Sequence, residues 1–209
     1  MPTQPSLGFA VRRQIHESLP EYIFELCTIA ETWQDIGNYV TDIKIRDENG
    51  VVLQVFEGIH TEFAPGENAR VFEPGDWNFD GYLDIRVWEH RGGSMRNDPH
   101  LYWLWDAGVG EYVPDDTLSE MSWGMSLTFN DDEKTIISFF KDGWMGLYKG
   151  LYIYNGDELI KIKSDAMESN HIYGEDENIT GIRTEYTTEE FINGEWVVTG
   201  QTREEVLYD

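Results

Sequence analysis

Leu151-Tyr152-Ile153-Tyr154-Asn155-Gly156-Asp157-Glu158-Leu159-Ile160-Lys161-Ile162 carries apolar and β-branched residues into an Asn-Gly pair and out again. Asn-Gly accepts the positive φ of a tight hairpin turn, so the stretch reads as two antiparallel strands joined by a short loop. The same pattern recurs twice. Ile43-Lys44-Ile45 runs to Asn49-Gly50 and returns through Val51 to Phe56, and Phe191-Ile192 runs to Asn193-Gly194 and returns as Trp196 to Thr199. A fourth hairpin is expected between Leu101–Trp105 and Glu111–Val113 across the glycine-bearing segment from Asp106 to Gly110, with a further strand over Thr135–Phe140. Nothing sustains a 3.6-residue period, and Pro114 to Glu120 offers only one capped helical turn. These signals predict an all-β chain of about a dozen strands. The hairpins are expected to form a small propeller-like arrangement, with a β-sandwich as the alternative; their uneven spacing establishes no repeat.

Between the Ile43–Phe56 and Leu101–Val113 hairpins lies Asp76-Trp77-Asn78-Phe79-Asp80-Gly81-Tyr82-Leu83-Asp84. Calcium takes six to eight oxygens at about 2.3–2.6 Å, and a tightly wound loop supplies them from alternate positions. Asp76, Asn78 and Asp80 stand at positions 1, 3 and 5, Tyr82 at position 7 offers its backbone carbonyl, Asp84 follows at position 9, and Gly81 permits the turn. An accidental match in an acid-rich turn is the competing reading; ordinary residue frequencies produce one in roughly several hundred chains of this length. Position 12, a bidentate Glu in helix-loop-helix sensors, is Val87, within the strand-like Ile85-Arg86-Val87-Trp88. The loop is therefore expected to feed a β-strand and to hold calcium structurally, at about 10⁻⁴–10⁻³ M, the range of extracellular modules.

The run from Val71 to Val113 resembles a family of bacterial exported proteins that includes the xanthomonad type IV secretion immunity proteins, inhibitors of lysozyme-like toxins. The likeness rests on Asn78-Phe79-Asp80-Gly81-Tyr82-Leu83-Asp84-Ile85-Arg86, then Gly92-Gly93-Ser94, then Tyr102-Trp103-Leu104-Trp105-Asp106. It continues through Leu118-Ser119-Glu120 and Asp131-Asp132-Glu133-Lys134-Thr135-Ile136, about a third of the chain in all. The resemblance implies a β-rich, propeller-like fold with a calcium loop, placed outside the cytoplasm.

Of 209 residues, 40 are acidic and 15 basic, a net charge of −25 that repels nucleic acid and anionic lipid and attracts a basic protein. No apolar run approaches a membrane span. Residues 1–8 read as a disordered lead or a spacer behind a signal peptide or lipid anchor, followed by a single all-β calcium-binding domain over 9–209. Cys27 excludes an intrachain disulfide and reads as a buried small hydrophobe.

Catalytic signals are thin. The five histidines lack zinc spacing, and no nucleophile elbow, Walker loop or dinucleotide fingerprint is present. Asp115-Asp116, Glu189-Glu190 and Glu204-Glu205 read as solvated faces rather than acid/base pairs. A binding role, not an enzymatic one, is expected: a secreted, periplasmic or lipid-anchored module that inhibits a basic, lysozyme-like enzyme. Carbohydrate recognition is the alternative. Trp103 and Trp105 share a strand face and read as core, whereas Trp77 and Trp144 fall in loops; with Gly92 and Gly93 they are the expected partner-facing residues.

Overall fold

The computed structural model describes residues 9–30, 38–63, 71–89, 99–175 and 177–208. The expected lead at 1–8, and Gly92 and Gly93, lie outside the described residues. The chain forms two compact units, Met1–Trp123 and Gly124–Asp209. Fourteen strands and one helix are formed among the described residues, and every strand pairing is antiparallel.

The first unit contains two sequential four-stranded meanders. One is β1 (Phe9–Gln14), β2 (Glu21–Ala30), β3 (Asn38–Arg46) and β4 (Val52–Phe63); the other is β5 (Phe72–Gly75), β6 (Asp84–Trp88), β7 (His100–Asp106) and β8 (Glu111–Asp115). Side chains two apart along a strand share a face. Phe24 and Leu26, and Ile43 and Ile45, project from the first sheet, Ile85 and Val87, and Trp103 and Trp105, from the second, and all eight join one buried cluster with Phe56 and Tyr112. Two sheets sharing one core is the sandwich-like arrangement, and the two tryptophans of β7 are core residues as their spacing predicted. The outer strands are also tied through Gln54 of β4. Its amide donates to the Tyr112 carbonyl at 2.6 Å and accepts from the Tyr112 amide at 3.0 Å, taking the place of a neighbouring strand for that residue of β8.

Helix α1 (Asp116–Gly124) follows β8 directly. Asp115 caps it, accepting the Leu118 amide at 2.7 Å. Burial raises the Asp115 carboxyl above its ordinary range. Asp115 is thus a half-buried cap rather than part of a solvated pair, a distinction invisible in a run of acids. Ser119 and Ser122 of α1 accept the amides of Tyr102 and His100 at 3.0 and 2.9 Å, so hydroxyls continue the β7 ladder where β8 stops.

The second unit is one six-stranded sheet, in the order β14-β13-β12-β11-β10-β9. Its strands are β9 (Ser126–Asn130), β10 (Thr135–Asp142), β11 (Gly146–Asn155), β12 (Glu158–Tyr173), β13 (Ile179–Ile192) and β14 (Glu195–Leu207). Ile136 is its one fully buried large apolar residue among those described, so the long ladders and cross-strand pairs hold this sheet more than a deep core does.

The Asn-Gly signals mark three hairpins by three different turns. Asn193 and Gly194 have φ of 53° and 90°, the paired positive values of a type I′ turn. At Asn155-Gly156 only the glycine is positive, and the pairing of Asn155 with Glu158 moves the loop one residue on, to Gly156-Asp157. At Asn49-Gly50 the Asp47 carboxylate accepts the amides of Asn49 and Val51 at 2.9 and 2.8 Å, building a wider loop in which Gly50 alone is left-handed.

Candidate metal loop and aromatic surfaces

Gly75 of β5 pairs with Asp84 of β6, so residues 76–83 are the connection of a hairpin, strand-flanked as the alternation after Asp84 implied. The acidic side chains fold back onto the loop's own amides. Asp76 accepts from Asp80 and Gly81, both at 2.9 Å; Asn78 accepts from Asp80 at 3.2 Å; Asp80 accepts from Tyr82 at 2.8 Å. The Asn78 amide nitrogen donates to Asp80 at 3.0 Å. Winding this tightly requires positive φ at Phe79 (65°) and Gly81 (92°). For Phe79 the left-handed conformation costs about 1–2 kcal/mol, a strain kept only where the surrounding bonds fix it.

Asp84 differs from the other three. It is fully buried, and its two oxygens accept the Trp77 amide at 2.8 Å and the Trp105 amide at 2.9 Å. One carboxylate thus pins the start of the loop to the end of β7. Burial pushes its pKa from 3.8 to about 7, against the lowering effect of those two amides, and the charges of Asp80 and Asp76 push the same way. Asp84 thus lies within the fields of Asp80 and Asp76. The expected calcium ligands, Asp76, Asn78, Asp80, the Tyr82 carbonyl and Asp84, are the oxygen donors this connection and the first residue of β6 carry. Among the described residues, no three His, Cys, Asp or Glu side chains already stand together as a metal cluster. The arrangement relies instead on an amide and a carbonyl oxygen beside carboxylates that now serve backbone amides.

Gly81→Ala is expected to destabilise the protein by about 1–2 kcal/mol through backbone strain alone, because a Cβ there meets nothing within 4 Å. Chemical denaturation with calcium present and with chelator measures it; loss only with calcium would locate the glycine's role in ion binding rather than in the turn.

The expected contact residues are placed very differently. The Trp77 ring lies over Gly75, where an added Cβ would stand 2.6 Å from it. The Arg86 guanidinium sits 4.1 Å above the ring, held in turn by Glu73 at 2.9 Å, and Tyr102 meets it edge-on. Trp77 is thereby committed to packing beside the loop. Trp144 is 51% exposed in the turn between β10 and β11, with His171 4.9 Å away. Cys27 is half-buried in β2.

One aromatic site escaped the sequence reading. Phe191 and Trp196 face each other across the type I′ hairpin, their rings 5.6 Å apart, and the Lys161 ammonium lies 5.6 Å from the Trp196 ring. With Ser164 and Glu189 they line an open cleft of about 520 Å³ on the second unit. The signal was available, since a two-residue turn at 193–194 must set 191 opposite 196.

No family model matches the chain, and none of the curated proteins compared matches it. Among solved structures it is similar to a Xanthomonas type IV secretion system related protein, at 13% identity and a TM-score of 0.63 over 93% of this chain and 99% of that one. At that identity the likeness is one of fold. It spans nearly the whole of both chains, far beyond the segment whose residues carry the sequence resemblance.

Proposed function

We propose that this chain is a calcium-stabilised protein-binding module that works outside the cytoplasm and captures a basic protein, of the lysozyme-like cell-wall hydrolase class, as an inhibitor or immunity protein does. The observation that carries the reading is the 76–84 loop, with its all-oxygen donor set and buried, proton-hungry Asp84. The absence of Glu at position 12 favours a weak site, which only millimolar calcium outside the cytosol would fill. The bound ion would neutralise the loop's carboxylates and fix the β5–β6 connection. A net charge of −25 supports a cationic partner, whose approach it would accelerate at low salt. The fold neighbour's association with type IV secretion agrees with this setting.

The test is retention of a purified lysozyme-type hydrolase on the immobilised chain, with its wall-lytic activity followed in parallel. Retention at about 50 mM salt, release at about 500 mM and loss of lysis are expected. Full lysis in the presence of excess chain at low salt would overturn the inhibitor reading.

The cleft floored by Phe191 and Trp196 favours one second reading, carbohydrate recognition. A glycan array followed by tryptophan fluorescence decides it; no quench by any sugar removes it.

A further inference from the structure

β14 is the outer strand of the six-stranded sheet, and all 13 of its residues are exposed. Open edges of this length are ordinarily shortened, covered, or guarded by proline, lysine or a bulge, because their free amides and carbonyls pair with any passing strand. Glu195–Leu207 contains neither proline nor lysine. Its one guard is a bulge at Thr199, the residue of β14 skipped between the Thr188–Gly200 and Glu189–Val198 pairs, which leaves Gln201 to Leu207 regularly paired. Its one cation, Arg203, is engaged by Glu205, which also holds Arg183 at 2.9 Å.

The pairing pattern tells which backbone groups face out. Tyr208 donates its amide to the Thr180 carbonyl at 2.8 Å. In an antiparallel ladder hydrogen-bonded pairs alternate, so the even residues of this run bond to β13 and Gln201, Arg203, Glu205 and Leu207 point their amides and carbonyls away from it. That edge offers donors and acceptors over about 20 Å, the length of a seven-residue strand.

Charge selects the occupant. Glu195, Glu204 and Glu205 outnumber Arg203 along the strand, and the whole chain carries −25. A second copy fits poorly, since two chains each carrying −25 repel. We infer that the Gln201–Leu207 edge of β14 is a docking site for an extended, lysine- or arginine-rich segment of a partner protein, which adds to the sheet as a seventh strand. This rests on the basic-partner reading above and gives that partner a binding surface: backbone bonds supply affinity, and the strand's carboxylates select a basic side-chain pattern.

The experiment uses the full chain and an eight-residue peptide of alternating lysine and valine, with alternating glutamate and valine as control. Amide-resolved hydrogen exchange is expected to slow about tenfold or more at residues 201, 203, 205 and 207 with the lysine peptide alone. Gln201→Pro removes an outward donor without touching the β13 ladder, and should abolish that protection while leaving circular dichroism and the free chain's exchange at even residues unchanged. Unchanged exchange at the four amides, with or without peptide adsorption, would overturn the proposal, as would equal protection by the glutamate peptide. Protection without peptide, accompanied by dimers in sedimentation, would give the edge to a second copy and also overturn it. Hydrolase retained equally by wild type and Gln201→Pro sinks this docking edge but spares the basic-partner reading. Peptide protection without hydrolase retention keeps the edge and sinks that reading.

Discussion

Asp84→Ala is expected to destabilise the first unit by about 3–5 kcal/mol, a fall in melting temperature of roughly 10 °C. The loss is large because one carboxylate serves two amides from different elements, Trp77 in the loop and Trp105 at the end of β7. Alanine leaves both donors without that acceptor in a fully buried position, at about 1–3 kcal/mol each, and opens a cavity. Relief of the buried charge works the other way, so the net lies below the sum of these terms. Asp84→Asn preserves volume but supplies one acceptor oxygen and turns an N–H donor toward the second amide, and should cost nearly as much. The comparison is Asp80→Ala, on an exposed side chain, which in chelator should cost less than about 1 kcal/mol. Denaturant unfolding in chelator measures all three; a mild Asp84→Ala would mean that the Trp77 and Trp105 amides find other partners.

Residues whose local pattern repeats over a few positions made most of the fold readable. Alternation set Phe24 with Leu26 and Trp103 with Trp105 on inward faces, and Asn-Gly marked three of the hairpins because only a few residues tolerate φ near +60°. Turn type was less legible, since it depends on which neighbour takes the free amides. Asp47 captures them beside Asn49, whereas Asn193 and Gly194 both take positive φ. The division at residues 123 and 124 left no mark in composition, because α1 enters it without a glycine- or proline-rich linker. At the site, spacing nominated Asp76, Asn78, Asp80, Tyr82 and Asp84 as equals. Only the three-dimensional path separates the buried Asp84 from the other side chains, because its second amide comes from Trp105, distant in sequence. Trp77 likewise reads as an exposed loop aromatic until Gly75 and Arg86 are placed against its ring.

Calcium is expected to raise the melting temperature of the wild-type chain and to do so more strongly as pH rises from 4 to 7. For one site that binds only the folded chain, about 1 mM calcium adds about 2.7 kcal/mol at a dissociation constant near 10 μM and about 0.4 at 1 mM, or several degrees against about one. The pH dependence follows from Asp84, whose carboxyl has a pKa of about 7 in the fold and 3.8 as a free side chain. In chelator the folded chain holds this proton more tightly than the unfolded chain does. The stability so gained is complete below about pH 4 and is lost as pH climbs to about 7, where the buried group must ionise beside Asp80 and Asp76. A divalent ion favours the ionised form, so its contribution should grow over the same interval, and melting curves with and without calcium should diverge as pH increases. Asp80→Ala removes a ligand while leaving Asp84 buried. It should therefore flatten the calcium response and retain most of the chelator-state pH slope. An unaltered calcium response in Asp80→Ala would place the ion elsewhere, whereas a chelator-state stability that rises from pH 4 to 7 would mean that other carboxylates outweigh Asp84 in this window.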